Sequence, residues 1–282
     1  MVDVFTVVKS LVDLGYTTAI SENVLSVIAT WGTKLNMIVM SVANGIIMSL
    51  IPAIAGSYIV KNYKEVNDKV TKAIETLLLV TVPLSIGMSF MASSIWTGFY
   101  GYDTLNISIF SVLILSQIPL SIFSVMLNTN QTINNTKATI SVLAVSVIAK
   151  ICLNVPFMTL FNNCGIEAFY APIILNIIID TIACFVLLSS VKKKTNISYL
   201  KSMRTFIKVA LSTTIMIFGL KILNLFIPVD SMTRIGAIFE CILYGLVGAI
   251  IYFIVTYKSG LLKEVLGADI VKKILRKLKL AK

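Results

Sequence analysis

Long apolar stretches without charge alternate with short polar segments along this chain. A helix needs about 20 mostly apolar residues to cross the roughly 30 Å hydrocarbon core of a bilayer, and seven stretches reach that length. The pattern therefore predicts an all-α integral membrane protein with seven transmembrane helices. The predicted spans are residues 35–58, 71–98, 105–127, 138–161, 166–190, 206–227 and 234–257.

The segments outside the predicted spans are expected to lie at the membrane surface. Residues 1–34 are only partly apolar and form a predicted extracytoplasmic or interfacial head, without the pattern of a signal peptide. Residues 258–282 place apolar side chains at helical spacing with lysines between them, which predicts a cytoplasmic amphipathic basic helix on an anionic leaflet. Prolines that fall within the predicted spans, where kinks are common in transporters, include Pro83, Pro119, Pro156 and Pro172.

Composition and charge placement support this class of protein. The 282 residues are 57% hydrophobic and 13% charged, against roughly 45–50% and 25% in soluble domains, which excludes a soluble globular protein. Of the 24 basic residues, four follow the first span, one the third, six the fifth and eight the seventh, which makes 19 on one side. The positive-inside rule then predicts a cytoplasmic C-terminus, and an odd span count predicts an N-terminus outside. No motif suggests nucleic-acid binding.

The sequence disfavours enzymatic chemistry. It contains no histidine, its four cysteines are isolated, and it lacks the sequence motifs of nucleotide-binding loops, zinc proteases and serine hydrolases. We therefore expect no catalytic residue, no metal site and no cofactor, with a coupling cation as the one small ligand considered.

Two charged residues are predicted to meet near the middle of the membrane. An ionisable group there costs at least ~2.5–3.5 kcal/mol on insertion scales, so it needs a partner or a cavity. At 1.5 Å per residue, Lys150 and Asp180 lie about 17 and 21 Å below the outer surface. One interpretation is a cavity site for substrate charge or a coupling cation, with Asn154 and Asn176 as neutral ligands. The other is a structural ion pair.

Further charges within the predicted spans are given structural interpretations. Lys221 and Glu240 both lie roughly 9 Å deep and are predicted to form a structural pair. Glu75 lies near the cytoplasmic end of the second span and is expected to reach water.

Several motifs resemble one family of membrane transporters. Residues 49–58 read S-L-I-P-A-I-A-G-S-Y and resemble the S-L-I-P-A-I-S-x-A-Y signature of MurJ-like and stage V sporulation protein B-like flippases. These belong to the multidrug/oligosaccharidyl-lipid/polysaccharide exporter superfamily. Shorter matches follow at residues 82–87, 99–101, 136–140, 150–154 and 165–168. The chain departs from the family pattern at Ala138, where proline is common.

The resemblance implies half of a larger transporter. Full members have fourteen helices in two lobes, and the seven spans match helices eight to fourteen, with residues 1–14 as the end of helix seven and its loop. It further implies alternating-access translocation of a lipid-linked oligosaccharide across a bacterial cell membrane, together with the missing N-terminal lobe or a second copy. Of the cation-site residues reported for some members, only Asn154 matches by motif. This half has no arginine in the interior of a predicted span, since Arg234 stands at the first position of the seventh.

Two other functions stay open at this point. A drug or cation antiporter of the same superfamily is disfavoured by the S-L-I-P-A signature. An accessory or truncated fragment without activity of its own would only pack against a partner.

Overall fold

The computed structural model of the chain describes residues 2–227, 232–269 and 271. Within them, seven helical segments are long and apolar enough to cross a membrane, which confirms the predicted all-α membrane architecture. The helices are α1 (Val2–Asp13), α2 (Thr18–Ser26), α3 (Gly32–Ile59), α4 (Tyr63–Phe90), α5 (Ala92–Tyr100), α6 (Thr104–Leu113), α7 (Gln117–Thr132), α8 (Thr136–Asn163), α9 (Ala171–Thr195), α10 (Leu200–Phe226), α11 (Arg234–Lys258) and α12 (Leu261–Leu266).

The helix that contains the first predicted span begins earlier than hydropathy indicates. The Thr17 hydroxyl accepts a hydrogen bond from the Ile20 amide, 3.3 Å away, and starts α2. A π-helical turn at Val27–Trp31 then joins α2 to α3, so the chain stays helical from Thr18 to Ile59. Residues 18–34, assigned above to the head, therefore continue the first long helix. Polar residues in this stretch lower its hydropathy without ending the helix.

The second span is also shifted along the chain. Asn62 caps α4, because its side-chain oxygen accepts a hydrogen bond from the Glu65 amide at 3.2 Å. This cap makes the charged turns before residue 71 helical, although hydropathy excluded them from the predicted span. At the other end α4 stops at Phe90, and residues 92–100 form the separate helix α5 rather than the end of the same span.

The prolines act in two ways. Pro83 and Pro156 lie inside α4 and α8, as predicted, and Pro52 lies inside α3. Pro172 lies instead in the first turn of α9, where a missing backbone N–H costs no helical hydrogen bond. Pro119 lies just after the 3₁₀ turn Ile114–Ser116, where α6 passes into α7.

Helix α4 is the centre of the bundle and α8 lies at its edge. In the most apolar 18-residue window, 61% of the α4 residues are buried, against 6% for α8. Helix α4 packs on α3, α7 and α10, while α8 packs mainly on α9. We call the end that contains the connections at residues 60–62, 133–135, 196–199 and 259–260 the basic side, because most lysines lie there.

At each end of the bundle, a hydrogen bond joins segments that are distant in the sequence. At the end opposite the basic side, the Tyr16 hydroxyl donates to Glu167 Oε2 at 2.5 Å. Burial raises the pKa of Tyr16, and this hydrogen bond raises it further, so the hydroxyl remains a donor. On the basic side, Lys194 Nζ donates to the carbonyls of Ile133 at 2.7 Å and Asn134 at 2.8 Å, which satisfies the end of α7.

The predicted amphipathic tail begins as a packed helix. Leu261, Leu262 and Val265 of α12 are buried in the same hydrophobic cluster as the basic-side half of α4. The start of the tail therefore contacts the bundle itself. The rest of the predicted tail helix, residues 270 and 272–282, lies outside the described residues.

Replacing Gly32 is expected to destabilise the bundle. A Cβ at Gly32 would lie 2.5 Å from a methyl of Leu113 and 2.8 Å from the Val27 carbonyl oxygen. Gly32→Ala should therefore cost about 1–3 kcal/mol, as overpacking does. Gly45→Ala is the matched control, since no atom lies within 4 Å of its added Cβ. Thermal unfolding in detergent should give Gly32→Ala the lower Tm, and equal values would contradict this packing.

Candidate functional site

Lys150 and Asp180 meet between α8 and α9. Lys150 Nζ lies 3.0 Å from Asp180 Oδ1, within hydrogen-bond and ion-pair distance. The Asp180 side chain is 7% exposed and that of Lys150 is 26% exposed. The carboxylate is thus enclosed by the bundle, while the ammonium group lies at the surface of the bundle. Whether the pair binds a ligand stays a prediction.

Two asparagines extend this pair into a polar patch. Asn154 follows Lys150 by one turn on α8, and Asn176 precedes Asp180 by one turn on α9, so each lies on the same helix face as its charged neighbour. The Asn154 amide nitrogen donates to Thr6 Oγ1 of α1 at 2.8 Å. Asn176 is half-buried. We call Lys150, Asn154, Asn176 and Asp180 the polar patch.

The polar patch retains an unused acceptor. Asn154 is 1% exposed, and its side-chain oxygen has no hydrogen-bond partner among the described residues. A buried acceptor without a partner costs roughly 1–3 kcal/mol, so it marks a place where a donor or a cation is favourable. Carboxylate and amide oxygens are the groups that hard cations prefer. The arrangement is chemically suited to a small cation or to a donor group of a substrate.

The expectation that Glu75 reaches water, drawn from its depth, is wrong. Its side chain is 1% exposed instead of reaching water. Thr205 of α10 donates to Glu75 Oε1 at 3.2 Å, and Lys201 Nζ lies 3.3 Å from Oε2. Depth along α4 indicated a residue near the membrane surface, but it did not indicate that this face of α4 is covered by α10.

The predicted pair of Lys221 and Glu240 is not formed. Lys221 is exposed, and within the described chain neither residue is in an ion pair. Leu220 is the residue of α10 that packs against Gly248 of α11, with its methyl 3.3 Å from the position of a Cβ there. Lys221 is therefore rotated by about 100° from the contact face, since helical residues advance by that angle. Equal depth did not ensure equal orientation.

Helix α3 presents a polar face to the outside of the bundle. Ser41, Asn44 and Ser49 are exposed although they lie within a spanning helix. The two serine hydroxyls donate to carbonyls of their own helix, at 2.8 Å for Ser41 and 2.9 Å for Ser49. Exposed Met37 and Met48 lie among these residues, so the face is mixed, and Asn44 is its residue least suited to lipid. A mixed face of this kind suits a water-filled path or a second protein surface.

An apolar groove opens between α4, α5, α10 and α11. Its volume is about 570 Å³. Its walls carry small and flexible side chains, including Gly87, Met88, Met216, Gly245 and Gly248. Methionine and glycine allow a surface to adapt to an irregular chain, so the groove is suited to a hydrocarbon tail.

Breaking the Lys150–Asp180 pair from one side is expected to cost more than removing both charges. Lys150→Ala leaves a buried carboxylate without its charged donor and should lower the free energy of unfolding by about 1.5–3 kcal/mol. Lys150→Ala combined with Asp180→Asn should recover more than half of this loss. Lys137→Ala, an exposed lysine on the same helix, is the control and should be neutral. Additive losses in denaturant unfolding would exclude coupling.

Comparison with known proteins places these features in a wider context. No protein-family model matches the chain. It is 27% identical over 274 residues to the lipid II flippase MurJ of Bacillus subtilis, covering 94% of this chain and 49% of that protein. A solved structure of lipid II flippase MurJ in an inward closed conformation superposes with a TM-score of 0.68 at 19% identity, covering 92% of this chain and 50% of that one. The chain thus spans about half the length of the relatives that it matches. In sequence and in fold, it is similar over nearly its whole length to half of a MurJ-like flippase.

Proposed function

We propose that this chain is one lobe of a bacterial flippase that translocates a lipid-linked oligosaccharide by alternating access. The observation that carries the proposal is the similarity to a lipid II flippase over 94% of the chain. The substrate class is accordingly a lipid-linked cell-wall or polysaccharide precursor, and the protein is a transporter rather than an enzyme.

Three features of the bundle support this proposal. The apolar groove has the character needed for a prenyl tail, and the polar face of α3 has the character needed to border a path for a saccharide. The polar patch supplies a charge pair and an unused acceptor inside the membrane. A mid-membrane site for substrate or coupling ion is the usual arrangement in secondary transporters.

The second lobe is a necessary part of the proposal. Alternating access needs two bodies that move against each other, and the described part of this chain supplies seven candidate spanning segments. The second body is either an N-terminal lobe of the kind that the longer relatives contain or a second copy of this chain.

Cells depleted of their own flippase provide the test of function. The chain is expressed alone and together with an N-terminal seven-helix half, and lipid II reaching the outer leaflet is measured. We expect restored translocation in at least one of these arrangements. Export of dyes without translocation of lipid II would favour the antiporter, and stable assembly with neither activity would favour an accessory fragment.

Within this proposal, Asp180 is expected to serve transport as well as stability. Asp180→Asn should reduce translocation about tenfold or more at unchanged membrane abundance, since losing ~1.4 kcal/mol of interaction costs a factor of ten. Asp13→Asn removes an exposed carboxylate at the end of α1 and should leave translocation unchanged. The swapped pair Lys150→Asp with Asp180→Lys preserves an ion pair. Full translocation activity of this swapped variant would show that the pair has a structural role only.

The orientation of the lobe is tested by labelling Cys164. This thiol is exposed in the connection between α8 and α9, opposite the basic side. The charge asymmetry predicts that a membrane-impermeant maleimide labels it from outside intact cells. Cys164→Ser should abolish that labelling. Labelling of Cys164 only after the cells are opened would show that the orientation is the reverse of the predicted one.

A further inference from the structure

A polar cleft lies on the basic side, away from the polar patch. Its volume is about 520 Å³, and it is formed where the first half of α4 meets the start of α10 and α12. Helix α4 supplies polar residues at spacings of three and four, so one continuous helix face lines the cleft. The charged residues in its lining are Lys64, Asp68, Lys72, Glu75, Lys201 and Glu264.

Two of the carboxylates in this lining are already neutralised. Glu75 is paired with Lys201 at 3.3 Å. Glu264 of α12 is paired with Lys208 of α10 at 2.5 Å. These pairs also hold α10 against α4 and α12, so they shape the wall of the cleft. Neither carboxylate remains available to balance another cation fully.

The remaining lysines leave the cleft with positive charge. Lys64 and Lys72 are exposed, and among the described residues neither is in an ion pair. Among the carboxylates of the lining, only Asp68 lies between these two lysines on α4. The lining holds three lysines and three carboxylates, and its one net positive charge arises because Lys208, outside the lining, neutralises Glu264. The hydroxyls of Thr71 and Ser198 also line it and can donate hydrogen bonds to phosphate oxygens.

Apolar side chains place the cleft beside the membrane. Leu200 and Met203 flank Lys201 at the start of α10 and are 71% and 59% exposed. Helix α10 continues from there as a spanning helix. Large exposed apolar side chains beside a lysine are typical of the level where lipid head groups meet hydrocarbon. An occupant with an anionic head and apolar tails is therefore favoured over a soluble anion.

We propose that this cleft binds the phosphate of an anionic phospholipid from the leaflet on the basic side. Lys64 and Lys72 contact the phosphate, and the lipid tails lie along the exposed apolar face of α10. The site is separate from the polar patch and does not depend on the transported substrate. The bound lipid joins α4, α10 and α12 at the end of the bundle where the three helices meet.

Lipid binding by the purified full chain tests the site. Native mass spectrometry measures the apparent Kd for phosphatidylglycerol during a titration in detergent. Each lysine near a membrane surface contributes about fivefold to binding of anionic lipid, so Lys64→Gln with Lys72→Gln should weaken binding on the order of 25-fold. Asp68→Asn removes the opposing carboxylate and should strengthen binding about fivefold. Because unfolding would weaken lipid binding, stronger binding by Asp68→Asn cannot be explained by unfolding.

Matched controls separate this site from general attraction to the basic side. Lys61→Gln with Lys258→Gln removes two exposed lysines of the same side outside the cleft and should leave binding unchanged. Equal weakening by both double variants would overturn the site in favour of diffuse electrostatics. Displacement by equimolar inorganic phosphate would overturn the lipid assignment, as would equally tight binding of phosphate-free diacylglycerol.

Discussion

The cost of placing a charge in hydrocarbon constrains how this bundle is held together. Helices in lipid gain little from hydrophobic association, so polar contacts and close packing must decide which helices meet. Asp180 pairs with Lys150 across α8 and α9, and Glu75 pairs with Lys201 across α4 and α10. In both pairs the carboxylate is nearly enclosed and the lysine is partly exposed. A flexible lysine can thus keep contact with polar surroundings while it neutralises a fixed carboxylate.

The two ends of the bundle are stabilised by different chemistry. On the basic side, lysines bind carboxylates and the carbonyls that end a helix, as Lys194 does at the end of α7. At the opposite end, Trp31 stacks on Tyr100 with ring centres 5.8 Å apart, and Trp96 lies 4.8 Å from the same ring. Because contacts within one chain hold both ends, we expect the bundle to behave as one rigid body.

The sequence was sufficient to predict the position of a residue along its helix. It was not sufficient to predict which way the side chain faces around the helix axis. Hydropathy predicted seven spans, and depth brought Lys150 and Asp180 together, because both properties follow from rise per residue. The same arithmetic failed for Lys221 and for Glu75, since it contains no information on which face a neighbour covers. The π-helical turn before Gly32 was missed because no hydrophobic pattern encodes it.

The polar face of α3 argues that the bundle does not face lipid on all sides. The hydroxyls of Ser41 and Ser49 are bonded within their own helix, so their exposure to hydrocarbon would cost little. Asn44 lies on the same exposed face and, in the part of the chain that the structure describes, its amide has no hydrogen-bond partner. An amide without a partner is unfavourable in hydrocarbon but not beside water or protein. Water or a protein surface beside α3 removes this cost.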